Sequence, residues 1–249
     1  MQKIKCILSY DGTGFSGFQI QPGKRTVQGE LEKALAKIHK GQHIRIQASG
    51  RTDTGVHAIG QTIHFESPYT LPVYNWGRAL NTLMPADLYI TGVQKVPDAF
   101  HVRYDAIEKE YRYVVWNERE TDVFKRNYAY QFRYPLDIAA IKEACTYFEG
   151  THDFTTFSSA KATIKGSKER TLYEVTCKQS GQEITFTFQG SGFLYNMVRI
   201  IVGVLLDVGR GKRKPSDITA LMEKKDRRLV GETVPPQGLY LWNVKYEEY

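Results

Sequence analysis

The chain has 249 residues, 41% of them hydrophobic and 24% charged, which is an ordinary globular mix. That composition excludes a disordered, collagenous or disulfide-scaffold protein, and a chain of this length buries enough surface to fold without a metal or disulfide staple. Its 34 Lys and Arg against 27 Asp and Glu give a formal net charge of +7, which favours an acidic partner, most often nucleic acid.

In chain order, β-branched and polar residues mix over positions 3–9 and predict a strand before the turn residues DGTG. Val27, Leu31, Ala34, Leu35 and Ile38 share one face of a helix over 27–39, with Thr26 as its cap. Positions 44–65 predict two strands joined by a glycine-containing loop, and a helix over 73–83 is stopped by Pro85. Further β-rich stretches occupy 88–96 and 111–116. In the second half, Leu136 and Ile141 bracket Asp137 as a staple around an N-cap, and the helix is expected to run to Gly150. Positions 170–178 and 183–189 predict a hairpin with Ser180-Gly181 at its turn. A strongly apolar helix over 193–208 stops at Gly209, a last helix covers 215–227, and a strand closes over 239–246. Each half thus carries helix plus antiparallel hairpin. The expected class is α+β, with domains at 1–105 and 106–249.

Cys6, Cys145 and Cys177 form no CxxC pair, and six scattered histidines include no HExxH, so neither a zinc ribbon nor a disulfide framework is expected. The first ten residues carry charges within their apolar stretch and lack a signal-peptide core. The longest apolar run, from Ile200 to Leu206, is too short to span a bilayer. A reduced, cytoplasmic protein without a membrane segment is expected.

One stretch concentrates chemistry: Ser49-Gly50-Arg51-Thr52-Asp53-Thr54-Gly55-Val56-His57-Ala58. It lies between strand-like runs, where loops hold functional groups on a rigid scaffold. Its glycines allow close backbone approach. Taken alone, Asp53 fits an Asx-type turn with Arg51 solvated. Asp53-Thr54-Gly55 is also the DTG triplet of aspartic proteases, but those enzymes need two carboxylates sharing a proton, and the chain has one DTG.

The longer string resembles the RTDxGVHA signature of the tRNA pseudouridine synthase A family. Five further blocks resemble that family in order. They are the Tyr10-Asp11-Gly12-Thr13-Gly14-Phe15 opening, and Phe100-His101-Val102-Arg103 leading to Lys109-Glu110-Tyr111-Arg112-Tyr113. Then follow Thr151-His152-Asp153-Phe154, the run Gly192-Phe193-Leu194-Tyr195-Asn196-Met197-Val198-Arg199, and Gly238-Leu239-Tyr240-Leu241. Phe18 stands where the family commonly has Trp, and Asn196 where it often has His.

The resemblance implies two similar halves whose antiparallel sheets join into one larger mixed sheet with a central active-site cleft. It implies isomerisation of uridine to pseudouridine at positions 38, 39 and 40 of the tRNA anticodon stem-loop, by a homodimer that uses no nucleotide cofactor and no metal. Asp53 is the implied nucleophile, Tyr111 the tyrosine against the target uracil, and Arg51 the group that helps displace the flipped base. Arg199, inside the apolar run 193–206, wants a carboxylate partner. The family supplies Asp53, and such a pairing favours the ionised carboxylate. Arg51 and Asp53, two apart, point the same way in an extended stretch. The alternative is a tRNA-binding protein of the same fold without catalysis. The Asp at position 53 argues against it.

Three basic clusters fall in the second half: Lys161/Lys165/Lys168/Arg170, Arg210/Lys212/Arg213/Lys214 and Lys224/Lys225/Arg227/Arg228. Each alone fits a solvated face. Together they favour a phosphate-contacting surface, with Lys212, Arg213 and Lys214 as substrate-binding candidates.

Overall fold

Gln2, Ile4, Cys6, Leu8 and Tyr10 are buried along the first strand, β1 (Gln2–Tyr10), while Ile7 between them is exposed. That alternation turns one face of the strand to a core and leaves the other for a second layer. The computed structural model describes residues 1–159 and 166–247. The chain divides into two compact units, residues 1–107 with 240–249, and residues 108–239. Among the described residues there are ten strands and five α-helices, an α+β arrangement.

In the first unit, β1 pairs antiparallel with β3 (His57–Ser67) and with β4 (Leu88–Lys95). The last strand, β10 (Leu239–Tyr246), lies parallel to β3 through the Tyr240/His57 and Leu241/Ala58 pairs. A Cβ at Gly60 would stand 2.4 Å from the Trp242 carbonyl oxygen, so only glycine admits this close approach. Helix α1 (Val27–Ile38) starts where Thr26 accepts a hydrogen bond from the Gly29 N–H, and it buries Val27, Leu31, Ala34 and Leu35. Helix α2 (Val73–Leu83) buries Trp76 and Leu80 and gives way to extended backbone at Met84, the residue before Pro85. On the second face, Val96, Phe100 and Val102 form a separate cluster packed by Tyr246.

The expected pair of strands over 44–65 is only partly present. Strand β2 is two residues, Gln47–Ala48, paired with β3. Ile44 and Ile46 are buried as a strand's would be, but the Ile46 N–H bonds to the buried carboxylate of Glu32 on α1. The helix side chain therefore takes the place of a neighbouring strand.

In the second unit, β5 (Ala106–Trp116) pairs antiparallel with β9 (Glu183–Gly190), β9 with β8 (Glu169–Ser180), and β8 with β7 (Gly150–Asp153). The short β6 (Tyr130–Gln131) runs parallel to β5. With one parallel pairing beside the antiparallel ones in each unit, the strand arrangement is mixed, as expected. The hairpin turn is Gly181-Gln182, one residue later than expected, because its first central residue needs the positive φ (+59°) of Gly181. Helix α3 (Ile138–Thr146) is capped by Asp137, whose carboxylate accepts from the Ala140 N–H. It ends before Gly150, since Tyr147, Phe148 and Glu149 close tighter turns three residues back.

Helix α4 (Met197–Gly209) is buried on almost every side, yet it begins four residues later than expected. Asn196 is left-handed (φ 61°), a conformation asparagine tolerates and a helix cannot include. Helix α5 (Asp217–Lys224) is shorter than expected for the same reason, with Lys225 left-handed at its end.

Candidate active site

The loop carrying Asp53 leaves β2 and enters β3, and buried polar groups clamp it from both ends. At its entry, the fully buried Gln61 accepts from the Ser49 hydroxyl (2.8 Å) and donates to the Gly50 carbonyl (3.0 Å). At its centre the Tyr10 hydroxyl meets Thr52 Oγ1 at 2.7 Å, and the Phe18 N–H donates to the Thr52 carbonyl. At its exit the Gly12 N–H donates to His57 Nδ1 (3.0 Å), and the His57 ring stacks on Tyr240. Asp11 Oδ1 lies 3.2 Å from the same nitrogen and accepts from the Thr13 N–H.

Glycines make this clamping possible. Gly17 has a φ of +87°, and a Cβ there would sit 3.1 Å from the Thr52 carbonyl oxygen. A Cβ at Gly12 would overlap the Val56 carbonyl. Gly55, also at positive φ, completes a turn closed by the Val56 N–H on the Asp53 carbonyl. Between these anchors Thr52 is buried, Asp53 is half-buried and Arg51 is exposed. Burial raises the Tyr10 phenol to about 12, so it stays protonated as a neutral partner for Thr52.

The second unit holds the other expected site residues. Tyr111 lies on β5 opposite Phe188 of β9, half-buried, with its ring edge-on to Phe193 at 5.0 Å between centroids. Two residues on and on the same face, Tyr113 is buried and donates to the Pro235 carbonyl (2.7 Å). Burial raises the Tyr113 phenol well above its ordinary range.

Arg199 was expected within an apolar helix interior. It sits instead in the first turn of α4, half-buried, because Asn196 interrupts the helix. Its Nε donates to the Val234 carbonyl (2.7 Å) and its Nη1 to Asn196 Oδ1 (3.1 Å). A cation in the first turn is opposed by the helix dipole, and these oxygens offset that opposition.

The basic clusters are partly neutralised. Lys212 Nζ lies 3.5 Å from Asp207, Arg213 reaches Asp207 and the Leu229 carbonyl, and Lys214 is exposed. Lys225 pairs with Asp153 at 2.7 Å and Arg228 with Asp226. Lys161 and Lys165 lie outside the described residues. Among the described residues, no group of three or more His, Cys, Asp or Glu is placed to hold a metal ion, and no helix is long and apolar enough to cross a membrane.

Sequence reasoning missed Gln61 and Glu32, and it noted Asn196 without its part in the fold. Gln61 and Glu32 left a faint signal, as polar residues on faces that otherwise read as core. For Asn196, the signal was its departure from the related motif.

The matches to known proteins give this α+β chain its enzyme class. The tRNA pseudouridine synthase family matches residues 7–105 and 144–247, and the chain belongs to that family, a family of isomerases. Among curated relatives, the tRNA pseudouridine synthase A of Oceanobacillus iheyensis is 60% identical over 248 residues, covering 100% of this chain and 98% of that one. That of Geobacillus kaustophilus is 55% identical over 99% of this chain and 95% of its own. The tRNA pseudouridine synthase A 1 of Bacillus cereus (strain ATCC 10987 / NRS 248) is 54% identical over 99% of each.

Proposed function

We propose that this enzyme converts uridine to pseudouridine at positions 38, 39 and 40 of the tRNA anticodon stem-loop, as a cytoplasmic homodimer, with Asp53 as the nucleophile. The observation that supports this reading best is the Asp53 loop. Its backbone is held by Gln61, Tyr10, Phe18 and Gly12, while the carboxylate-bearing residue keeps partial exposure. A nucleophile held on a rigid support needs little reorganisation during reaction.

In the reaction, the bond from ribose C1′ to uracil N1 breaks, the base turns, and C1′ bonds to C5. The C5 proton is released and N1 ends protonated, so no electrons or groups are gained or lost overall. The reacting atoms are inaccessible in a stacked stem, so the uridine must be flipped out. An ionised Asp53 acts as nucleophile on the electron-poor centre, and the bond it forms breaks again before the product leaves, which returns the free carboxylate.

Tyr111 packs against the uracil, Arg51 helps displace the base, and Arg199 supplies the positive charge that pairs with Asp53. Lys212, Arg213 and Lys214 contact tRNA phosphates. Pseudouridine mapping of tRNA from cells with and without the protein tests the site assignment. Loss of pseudouridine at positions 38–40 on deletion supports it, and an unchanged map overturns it.

A further inference from the structure

We propose that the groove between residues 117–121 and 131–135 of the second unit is an RNA contact that holds one unstacked nucleotide of the tRNA. This rests on the tRNA reading above and adds a contact made by residues outside the Asp53, Tyr111 and Arg199 motifs. The groove has a volume of about 430 Å³ and is lined by Asn117, Glu118, Arg119, Arg133, Tyr134 and Pro135. That is within the ordinary range for a small-ligand pocket.

Its walls are laced together. Asn117 Nδ2 donates to the Phe132 (2.8 Å) and Tyr134 (2.9 Å) carbonyls, and the Phe132 N–H donates to the Trp116 carbonyl. Gln131 Nε2 crosses back to the Glu118 and Glu120 carbonyls. Arg133 Nη2 donates to Thr121 Oγ1 at 3.0 Å, a neutral partner. The groove is therefore formed before anything enters it, which lowers the ordering cost of binding.

Its chemistry suits a nucleotide. Arg119 and Arg133 are exposed planar cations, the side chains best matched to phosphate. The lone lining carboxylate, Glu118, already accepts the Arg119 backbone N–H at 2.7 Å. Tyr134 is 53% exposed and held in place, with its ring edge-on to Phe132 and the Arg210 guanidinium 3.8 Å from its centroid. Aromatic rings and guanidinium planes are the surfaces on which unstacked bases rest. A positively charged groove beside a fixed ring fits RNA better than it fits an acidic peptide, which needs no stacking platform.

The test measures binding of fluorescently labelled tRNA to the full-length protein over a range of salt concentrations. The Arg119→Ala/Arg133→Ala double variant should bind about tenfold more weakly, with a log–log salt slope shallower by about 1.4 to 1.8, as for two phosphates released. Tyr134→Ala should also bind about tenfold more weakly but keep the parent's slope, whereas Tyr134→Phe should bind like the parent. Arg119→Lys/Arg133→Lys should keep the slope, which separates charge loss from misfolding. Parent-like affinity and slope in the alanine double variant would overturn the assignment. So would a labelled polyglutamate peptide whose binding, unlike that of tRNA, depends on the two arginines. Binding is read without turnover, so a parent that binds tRNA yet makes no pseudouridine contradicts the proposed function and not the groove.

Discussion

The hydroxyl of Tyr10, at the end of the first strand, lies 2.7 Å from Thr52 Oγ1, directly before Asp53 in the chain. Both residues are buried, so the bond has no water to replace it. Tyr10→Phe leaves the Thr52 hydroxyl without its partner and should lower stability by about 1–2 kcal/mol. Turnover should fall further than that loss explains, because the support of Asp53 loosens. Chemical denaturation paired with steady-state kinetics checks this. A variant as unstable as expected but with parental kcat contradicts the positioning role.

Arg199 holds the Val234 carbonyl and Asn196 Oδ1 from the first turn of α4. Arg199→Met removes both bonds and the charge. Since Arg199 is half-buried, the expected stability loss is about 1–2 kcal/mol and not that of a fully buried ion pair. Pseudouridine formation should drop by at least about a hundredfold, near 2.7 kcal/mol of barrier. Full activity at an unchanged melting temperature contradicts both its structural and its catalytic assignment.

His64 gives the fold a pH dependence. Its Nδ1 accepts from the Val102 N–H, and burial, helped by the Lys3 and His101 charges, lowers it from 6.5 to about 4. Between those values the unfolded chain binds the extra proton. The stabilisation is therefore complete above pH 6.5 and is lost as pH falls towards 4, by up to about 3 kcal/mol. Thermal melts from pH 7.5 to 4 should show this decline, and His64→Gln should flatten it. An equal decline in parent and variant contradicts the assignment.

Legibility followed the range of the interactions. The caps at Thr26 and Asp137, the stop at Pro85 and the strand over positions 3–9 are local, and the structure has them where the sequence places them. Residues 44–46 read as strand from the spacing of Ile44 and Ile46, but the Ile46 N–H bonds to Glu32, on the preceding helix. The Asp53 loop was legible as a motif, whereas its clamping by Tyr10 and Gln61 depends on contacts between distant residues. The late start of α4 hangs on one backbone conformation at Asn196, which periodicity does not register.

The loop at Lys212, Arg213 and Lys214 bears on how tRNA is held. Asp207 neutralises part of this charge, so replacing all three by alanine should flatten the salt slope by only about 1 to 2 units, fewer than three phosphates would give. The apparent KM for tRNA should rise. Slope and KM matching the parent's would make the cluster a solvated face.

Asp53→Asn keeps the size of the side chain and removes its charge, so it isolates the part the carboxylate plays in the reaction. The measurement is release of tritium from tRNA labelled at uridine C5, alongside tRNA affinity. No release above background is expected, with binding within a few-fold of the parent. Substantial tritium release by the variant would contradict Asp53 as the nucleophile.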